Sequence, residues 1–315
     1  MHPAYSVIIF TTFSGAGYGL LFLMGLFAAG QWIEPDRWFG FTGFFFAFTM
    51  IVSGLISSTY HLGHPERAWR ALSQWKSSWL SREGVLAVAG FGPFALFAFG
   101  WVILESHDGA WRLFAILTVL FAVLTVYATS MIYATLRTIR AWFNPHTVRA
   151  YLAFAIWTGS IWFNLLTHLF DLHTPGIGFI VLASGILIWW FKRKYWMFLD
   201  GSPSWVSPNS ATGLNDLGPV RLLDSPNTQE NYIQQEMGFK IARKHAVKLR
   251  RWAFLTFFLI PYCLALMTVE AEAWLKIPAA ILAVGFVMVG TMIERWLFFA
   301  EAKHTVMLYY GAEDS

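Results

Sequence analysis

Eight stretches of this chain are long, apolar and nearly free of charge, and no other feature limits its fold as strongly. They cover roughly 5–29, 39–60, 84–104, 112–136, 150–170, 176–191, 252–269 and 277–300. Crossing the hydrocarbon core of a bilayer takes about 20 residues of α-helix, and most of these segments reach that length. Inside lipid every backbone N–H and C=O must be satisfied, which leaves helices or closed barrels. The strict two-residue alternation of a barrel strand is absent. The segments therefore predict an all-α fold, a polytopic bundle of eight transmembrane helices forming one membrane domain over 1–315. The sixth segment is the shortest. Were it re-entrant, seven spans would remain and the termini would lie on opposite sides.

Composition agrees. Hydrophobic residues make up 57% of the chain and charged residues 13%, where a soluble domain carries about 25% charged residues. Too little polar surface is available for a soluble enzyme, and too much apolar surface for a disordered chain. The single cysteine, Cys263, permits no internal disulfide, iron–sulfur cluster or thiolate zinc site. The opening Met-His-Pro-Ala-Tyr has no basic residue before the first apolar run. The first segment thus reads as a retained helix and not as a cleaved signal.

The charges are sorted by side. With eight spans, both termini share a face with the connections 61–83, 137–149 and 192–251. Those connections hold four, three and ten Lys and Arg residues. The opposite face has only Arg37, Arg112 and Lys276, against seven acids: Glu34, Asp36, Glu105, Asp108, Asp171, Glu270 and Glu272. Short loops rich in Lys and Arg stay in the cytoplasm. The expectation is a multi-pass protein of the bacterial inner membrane with both termini cytoplasmic. The longest connection divides into 200–229, rich in Gly, Pro, Ser and Asn, and 230–251, which reads as a short basic helix entering the seventh span. A loop of this length usually has a function, and docking of a partner suits it; the alternative is a solvated basic cap that fixes topology and touches anionic lipid heads.

Gly15 and Gly19 lie on one face of the first segment with Gly17 almost opposite. Gly159 and Ser160 in the fifth segment, and Gly285 and Gly290 in the eighth, suit close helix contact. Thr11, Thr12, Tyr18, Ser53, Ser57, Ser58 and Thr59 suggest hydroxyl bonds to backbone carbonyls. Trp32, Trp38, Trp69, Trp75, Trp79, Trp101, Trp111, Trp142, Trp252 and Trp274 fall near segment ends, as in an interfacial aromatic belt.

The densest polar stretch runs from Tyr60-His61-Leu62-Gly63-His64-Pro65-Glu66-Arg67 to Ser81-Arg82-Glu83-Gly84. His61 closes one span and Glu83 opens the next, so both are expected at one interfacial level. A carboxylate suits the first turn of a helix, and histidine titrates near neutral pH. Such a pair can exchange protons with a lipophilic redox carrier, or simply hold the loop together. Haem is not expected, because only His168, with Asn164 one turn earlier, lies well inside a span. A transporter is disfavoured by the lack of matching halves, although Pro93 and Pro261 can kink their helices.

These residues also carry a resemblance. The chain is similar throughout to the DmsC-like membrane anchor subunits of dimethyl-sulfoxide-reductase-type molybdenum enzymes. The likeness lies in His2-Pro3-Ala4-Tyr5 through Ser14-Gly15-Ala16-Gly17, His61-Leu62-Gly63-His64-Pro65, and Ser78-Trp79-Leu80-Ser81-Arg82-Glu83. It continues in Ser130-Met131-Ile132-Tyr133 with Arg137 and Trp142, and in Asn231-Tyr232 with Glu236-Met237-Gly238. Ile241-Ala242-Arg243-Lys244-His245, Glu294-Arg295-Trp296-Leu297-Phe298-Phe299 and Tyr309-Tyr310-Gly311 complete it. The resemblance implies a haem-free anchor with no metal of its own. On it dock a four-cluster iron–sulfur subunit and a molybdopterin catalytic subunit, and it binds ubiquinone or menaquinone. It further implies that His61 and Glu83 form the quinone site as hydrogen-bond partner and proton relay. Arg67 and Arg82 would hold that site or the docked subunit.

The best-known sulfoxide reductases of the family carry their catalytic arm outside the cytoplasm. A basic, cytoplasmic docking face instead fits the SoeC-type anchors of cytoplasmic sulfite dehydrogenases, which pass electrons from sulfite to quinone. A quinol-oxidising anchor of a sulfoxide or N-oxide reductase is the alternative.

Overall fold

The computed structural model describes residues 3–60, 62–201, 206–224, 226–238, 245–270 and 272–312. Among the described residues eight helices are long and apolar enough to cross a membrane. They are α1 (Tyr5–Ala29), α2 (Arg37–Thr59), α3 (Trp79–Val102), α4 (Ala110–Ala134), α5 (Pro145–Leu169), α6 (Pro175–Gly201), α7 (Ala246–Glu270) and α8 (Ala273–Ala300). The described residues contain no β-strand. The shortest helix, α2, has 23 residues. At about 1.5 Å per residue that exceeds the roughly 30 Å hydrocarbon core.

Local chemistry sets the boundaries. Asp36 caps α2 by accepting from Phe39 N at 2.7 Å. Asn144 caps α5 by accepting from His146 N and Thr147 N, with Pro145 at the first helical position. There the ring's fixed φ favours the helix and the missing N–H costs nothing. Ser78 caps α3, so that helix begins five residues before the expected 84.

Two expectations on extent are corrected. The sixth helix is a continuous span of 27 residues ending at Gly201, which rules out the re-entrant form. Its charged run Lys192-Arg193-Lys194 has the look of a loop, yet Lys192 is buried. Among its described residues the connection that follows contains two short α-helices, Pro208–Thr212 and Tyr232–Met237. The second stops at Gly238 instead of continuing through 251, and α7 starts afresh at Ala246. Residues 239–244 of the expected basic helix lie outside the described residues.

Helix α1 sits at the centre, packed against α2, α4, α5 and α8. Glycine makes this possible. A Cβ on Gly19 would fall 1.8 Å from the Ala155 carbonyl oxygen of α5. A Cβ on Gly159 would fall 2.2 Å from the Gly19 carbonyl carbon. The two backbones touch with no room for a methyl group, so Gly19→Ala must push α1 off α5. We expect a loss of about 1–3 kcal/mol, the usual cost of overpacking, read as a lower thermal midpoint of the purified protein. Gly15→Ala, whose Cβ would meet nothing within 4 Å, should show no such loss.

Proline shapes α7. Pro261 has no N–H to offer the Phe257 carbonyl four residues earlier, and the helix widens into a π-turn over Leu255–Leu259. The buried Trp157 indole of α5 donates to that carbonyl at 2.7 Å. Gly290 of α8 presses on the same turn, its would-be Cβ 2.2 Å from Phe257 N.

The aromatic belt is smaller than expected. Trp32, Trp38, Trp69, Trp75, Trp252 and Trp274 are exposed. Trp101 and Trp142 are core residues, because backbone carbonyls satisfy their indoles: Asp36 O at 2.9 Å and Phe298 O at 3.0 Å.

Candidate functional site

The connection between α2 and α3 folds as a 3₁₀ helix, Pro65–Gln74, laid against the start of α3. The Ser81 hydroxyl donates to the Ala71 carbonyl. Arg82 donates to the carbonyls of Trp75 at 3.0 Å and Lys76 at 2.7 Å, and its guanidinium lies 4.3 Å from the Trp79 ring centroid. Arg82 therefore holds the loop from its exposed side. Arg67 is exposed, 3.6 Å from Glu66. His61 lies outside the described residues.

Glu83 differs from its neighbours. Helix α3 starts at Trp79, so Glu83 opens the second turn and not the first, and it is turned inward with 4% exposure. The expectation of a carboxylate at the aqueous edge is corrected accordingly. The Thr129 hydroxyl of α4 donates to its Oε1. Tyr18 of α1, Tyr133 of α4 and Tyr151 of α5 stand within electrostatic reach. Among the described residues no cation forms an ion pair with it. A carboxyl group inside a membrane bundle that is not fixed as a carboxylate by a cation is suited to exchanging a proton. The structure thus separates Glu83, buried, from Arg82, half-buried, and Arg67, exposed.

Sequence reasoning missed a second buried charged group. Glu294 on α8 pairs with Lys192 of α6 through one oxygen and with Arg295 Nε at 2.7 Å through the other. All three side chains are at most 2% exposed. Rings enclose them: the Arg295 guanidinium is 4.1 Å from the Tyr151 centroid, and Lys192 Nζ is 3.9 Å from that of Tyr195. The adjacent charges Glu294-Arg295 within an otherwise apolar span are the available signal. Between Arg295 and Thr129 lies a small cavity of about 20 Å³.

The surface at the end carrying both termini is tied together. Arg250 of α7 bridges Asp200 at 2.7 Å and Glu301 at 2.9 Å. The C-terminal 3₁₀ segment Thr305–Tyr310 reaches into the long connection. Tyr309 donates to the Ala211 carbonyl at 2.9 Å, and Asn231 to the Tyr310 hydroxyl at 3.0 Å.

At the opposite end His168 stacks on His173, with ring centroids 4.0 Å apart. Asn164 bonds Thr268 at 3.1 Å. Nearby, burial against Trp101 pushes the His107 imidazole, in the α3–α4 loop, down to about 4. Such a histidine is folded in its neutral form. Once pH falls below about 6.5 the unfolded chain binds a proton that the folded chain refuses, so stability declines down to about pH 4. Thermal midpoints between pH 7 and 4 should fall more steeply in the wild type than in His107→Gln. No cluster of three or more His, Cys, Asp or Glu side chains able to hold a metal occurs among the described residues.

A family model described as DMSO reductase anchor subunit (DmsC) matches residues 1–311. The chain is 30% identical to a sulfite dehydrogenase subunit of Allochromatium vinosum, over 98% of this chain and 99% of that protein. It is 28% identical to the anaerobic dimethyl sulfoxide reductase chain YnfH of Escherichia coli, over 50% of this chain and 55% of that one.

Proposed function

Since the chain belongs to the DMSO reductase anchor subunit (DmsC) family, and is thus a membrane anchor within a larger oxidoreductase complex, we propose that it passes electrons from sulfite oxidation to membrane quinone. An iron–sulfur subunit docks on the end of the bundle that carries both termini, and a molybdopterin subunit oxidises sulfite beyond it. The redox chemistry belongs to those cofactors and to the quinone, which takes up two electrons and two protons. The anchor supplies a lipid-accessible site and the proton traffic.

The observation that carries this reading is the placement of Glu83. It is buried towards the end that carries both termini, accepts from Thr129, and is paired with no described cation. Glu83 gives or takes the proton, and His61 bonds a quinone carbonyl from the adjoining loop. Arg82 keeps that loop in place, and exposed Arg67 faces the docked subunit. Sulfite is favoured because kinship with a sulfite dehydrogenase subunit extends over the whole chain. The match to a dimethyl sulfoxide reductase chain covers half of it, and a quinol-oxidising sulfoxide or N-oxide reductase is the second reading.

The basic connections support a cytoplasmic docking face. A Ser210→Cys variant in a Cys263→Ser background tests this. Its thiol should react with a membrane-impermeant reagent only after the inner membrane is opened. Labelling of intact spheroplasts would reverse the orientation and favour an outward-facing reductase.

A further inference from the structure

The cavity beside Thr129, the hydrogen-bond partner of Glu83, lies where α1, α4, α5 and α8 meet. Its volume, about 20 Å³, exceeds the 10–15 Å³ or so that a single water needs. A buried water also needs two to four polar partners. Thr11, Thr158 and Thr291 line the cavity, but their hydroxyls are bonded to carbonyls of their own helices. Thr12 is different: its side chain is 1% exposed, and its hydroxyl has no hydrogen-bond partner. Ser14, whose hydroxyl is likewise bonded within its own helix, and Tyr151, Thr129 and Arg295 complete the polar lining. The α1 lining also includes Gly15, where a Cβ would meet no atom within 4 Å.

We propose that this cavity is an internal water site, held by Thr12, Thr129 and Arg295, and that its water is the first carrier for the proton exchanged by Glu83. The inference rests on the reading of Glu83 as a proton-exchanging group and adds where that proton goes. Thr129 connects the two, since it lines the cavity and bonds Glu83. When Glu83 holds a proton, the Thr129 oxygen accepts it while the Thr129 hydrogen passes to the water, which leaves Glu83 a carboxylate and the water a hydronium that gives its extra proton to the next carrier. Only O–H bonds break and form, and the hydroxyl ends neutral. Uptake runs the same steps in reverse. Arg295 is a positioning residue: pinned by Glu294, it orients the water and keeps its own proton. The charged and titratable groups around the site are Tyr18 on α1, Glu83 on α3, Tyr133 on α4, Tyr151 on α5, Lys192 on α6, and Glu294 and Arg295 on α8.

Gly15→Ala tests the idea, because a methyl group there occupies the water's space and alanine also favours the helix. In complex purified with its partner subunits, quinone-coupled turnover per assembled complex should fall at least 100-fold, the lower end of what assisted proton transfer contributes (about 10²–10⁴-fold). The solvent deuterium isotope effect should rise, and a small membrane-permeant weak acid should restore part of the rate. Should Gly15→Ala fail to assemble, Thr12→Val, which removes one water partner at constant shape, must show the same isotope effect and rescue. Unchanged turnover and isotope effect would reduce the cavity to a packing void. If Glu83→Gln also retained turnover, the reading of Glu83 would fall, and the water site with it. Loss in Glu83→Gln but not in Gly15→Ala would remove the water site alone.

Discussion

Glu83→Gln is expected to slow quinone-coupled turnover of the assembled complex by about 10²–10⁴-fold, the contribution of a positioned proton-transfer group. The substitution keeps nearly everything else. Glutamine has the same length, and its amide oxygen can still accept from Thr129, so α3 stays joined to α4. What disappears is the acidic proton. The change in stability should stay below about 1 kcal/mol, the net worth of one hydrogen bond, because the bond from Thr129 is kept. Two measurements on one preparation separate the roles: turnover with quinone per assembled complex, and the thermal midpoint. A Glu83 that merely tied two helices together would leave turnover intact, because glutamine makes the same tie. Thr129→Val is the complementary change, since it removes the hydroxyl that Glu83 accepts from while preserving shape.

Glu294→Ala should be the most destabilising single change in the bundle. It leaves Lys192 and Arg295 as two cations in a site where neither is more than 2% exposed. Breaking a buried pair costs about 3–5 kcal/mol because the remaining charge has no compensation, and here two charges are abandoned together. Denaturation in detergent, followed by helix content, would register this as a large fall in midpoint or as failure to accumulate. The contrast is the triple replacement Lys192→Met, Glu294→Leu, Arg295→Met. Apolar residues of similar volume often match or exceed a buried ion group in stability, so most of the loss should return. Quinone turnover should remain impaired in that triple variant, because Arg295 also lines the cavity beside Thr129.

Much of this fold is legible in the sequence, for a physical reason. Lipid forbids unsatisfied backbone, so eight long apolar runs can become little other than eight helices. Helix ends are harder. The sixth span reads as ending at Phe191 because Lys192-Arg193-Lys194 looks like the edge of a membrane. Only the partner on α8, Glu294, far away in the chain, makes a buried lysine tolerable there. Trp101 and Trp142 read as interfacial because they lie close to segment ends. Carbonyls from other segments, invisible in a periodicity, satisfy their indoles and bring them inside. Glu83 stands out in the sequence, but its depth does not. The cap at Ser78 starts α3 early and rotates the carboxyl inward. Gly19 reads correctly as a contact residue, whereas Gly15 on the same face borders a cavity. That difference depends on which helix lies opposite, and α1 spacing alone does not contain it.

The coupling of a molybdenum and iron–sulfur partner pair to membrane quinone is the central claim for this anchor. Purification of the intact complex through this chain, followed by assay of sulfite-driven quinone reduction, tests it most directly. The expected result is a complex containing molybdopterin and iron–sulfur clusters that reduces quinone when given sulfite, and that loses this activity with Glu83→Gln while remaining assembled. A complex that exchanges no electrons with quinone, or exchanges them equally well without the Glu83 carboxyl, would contradict it.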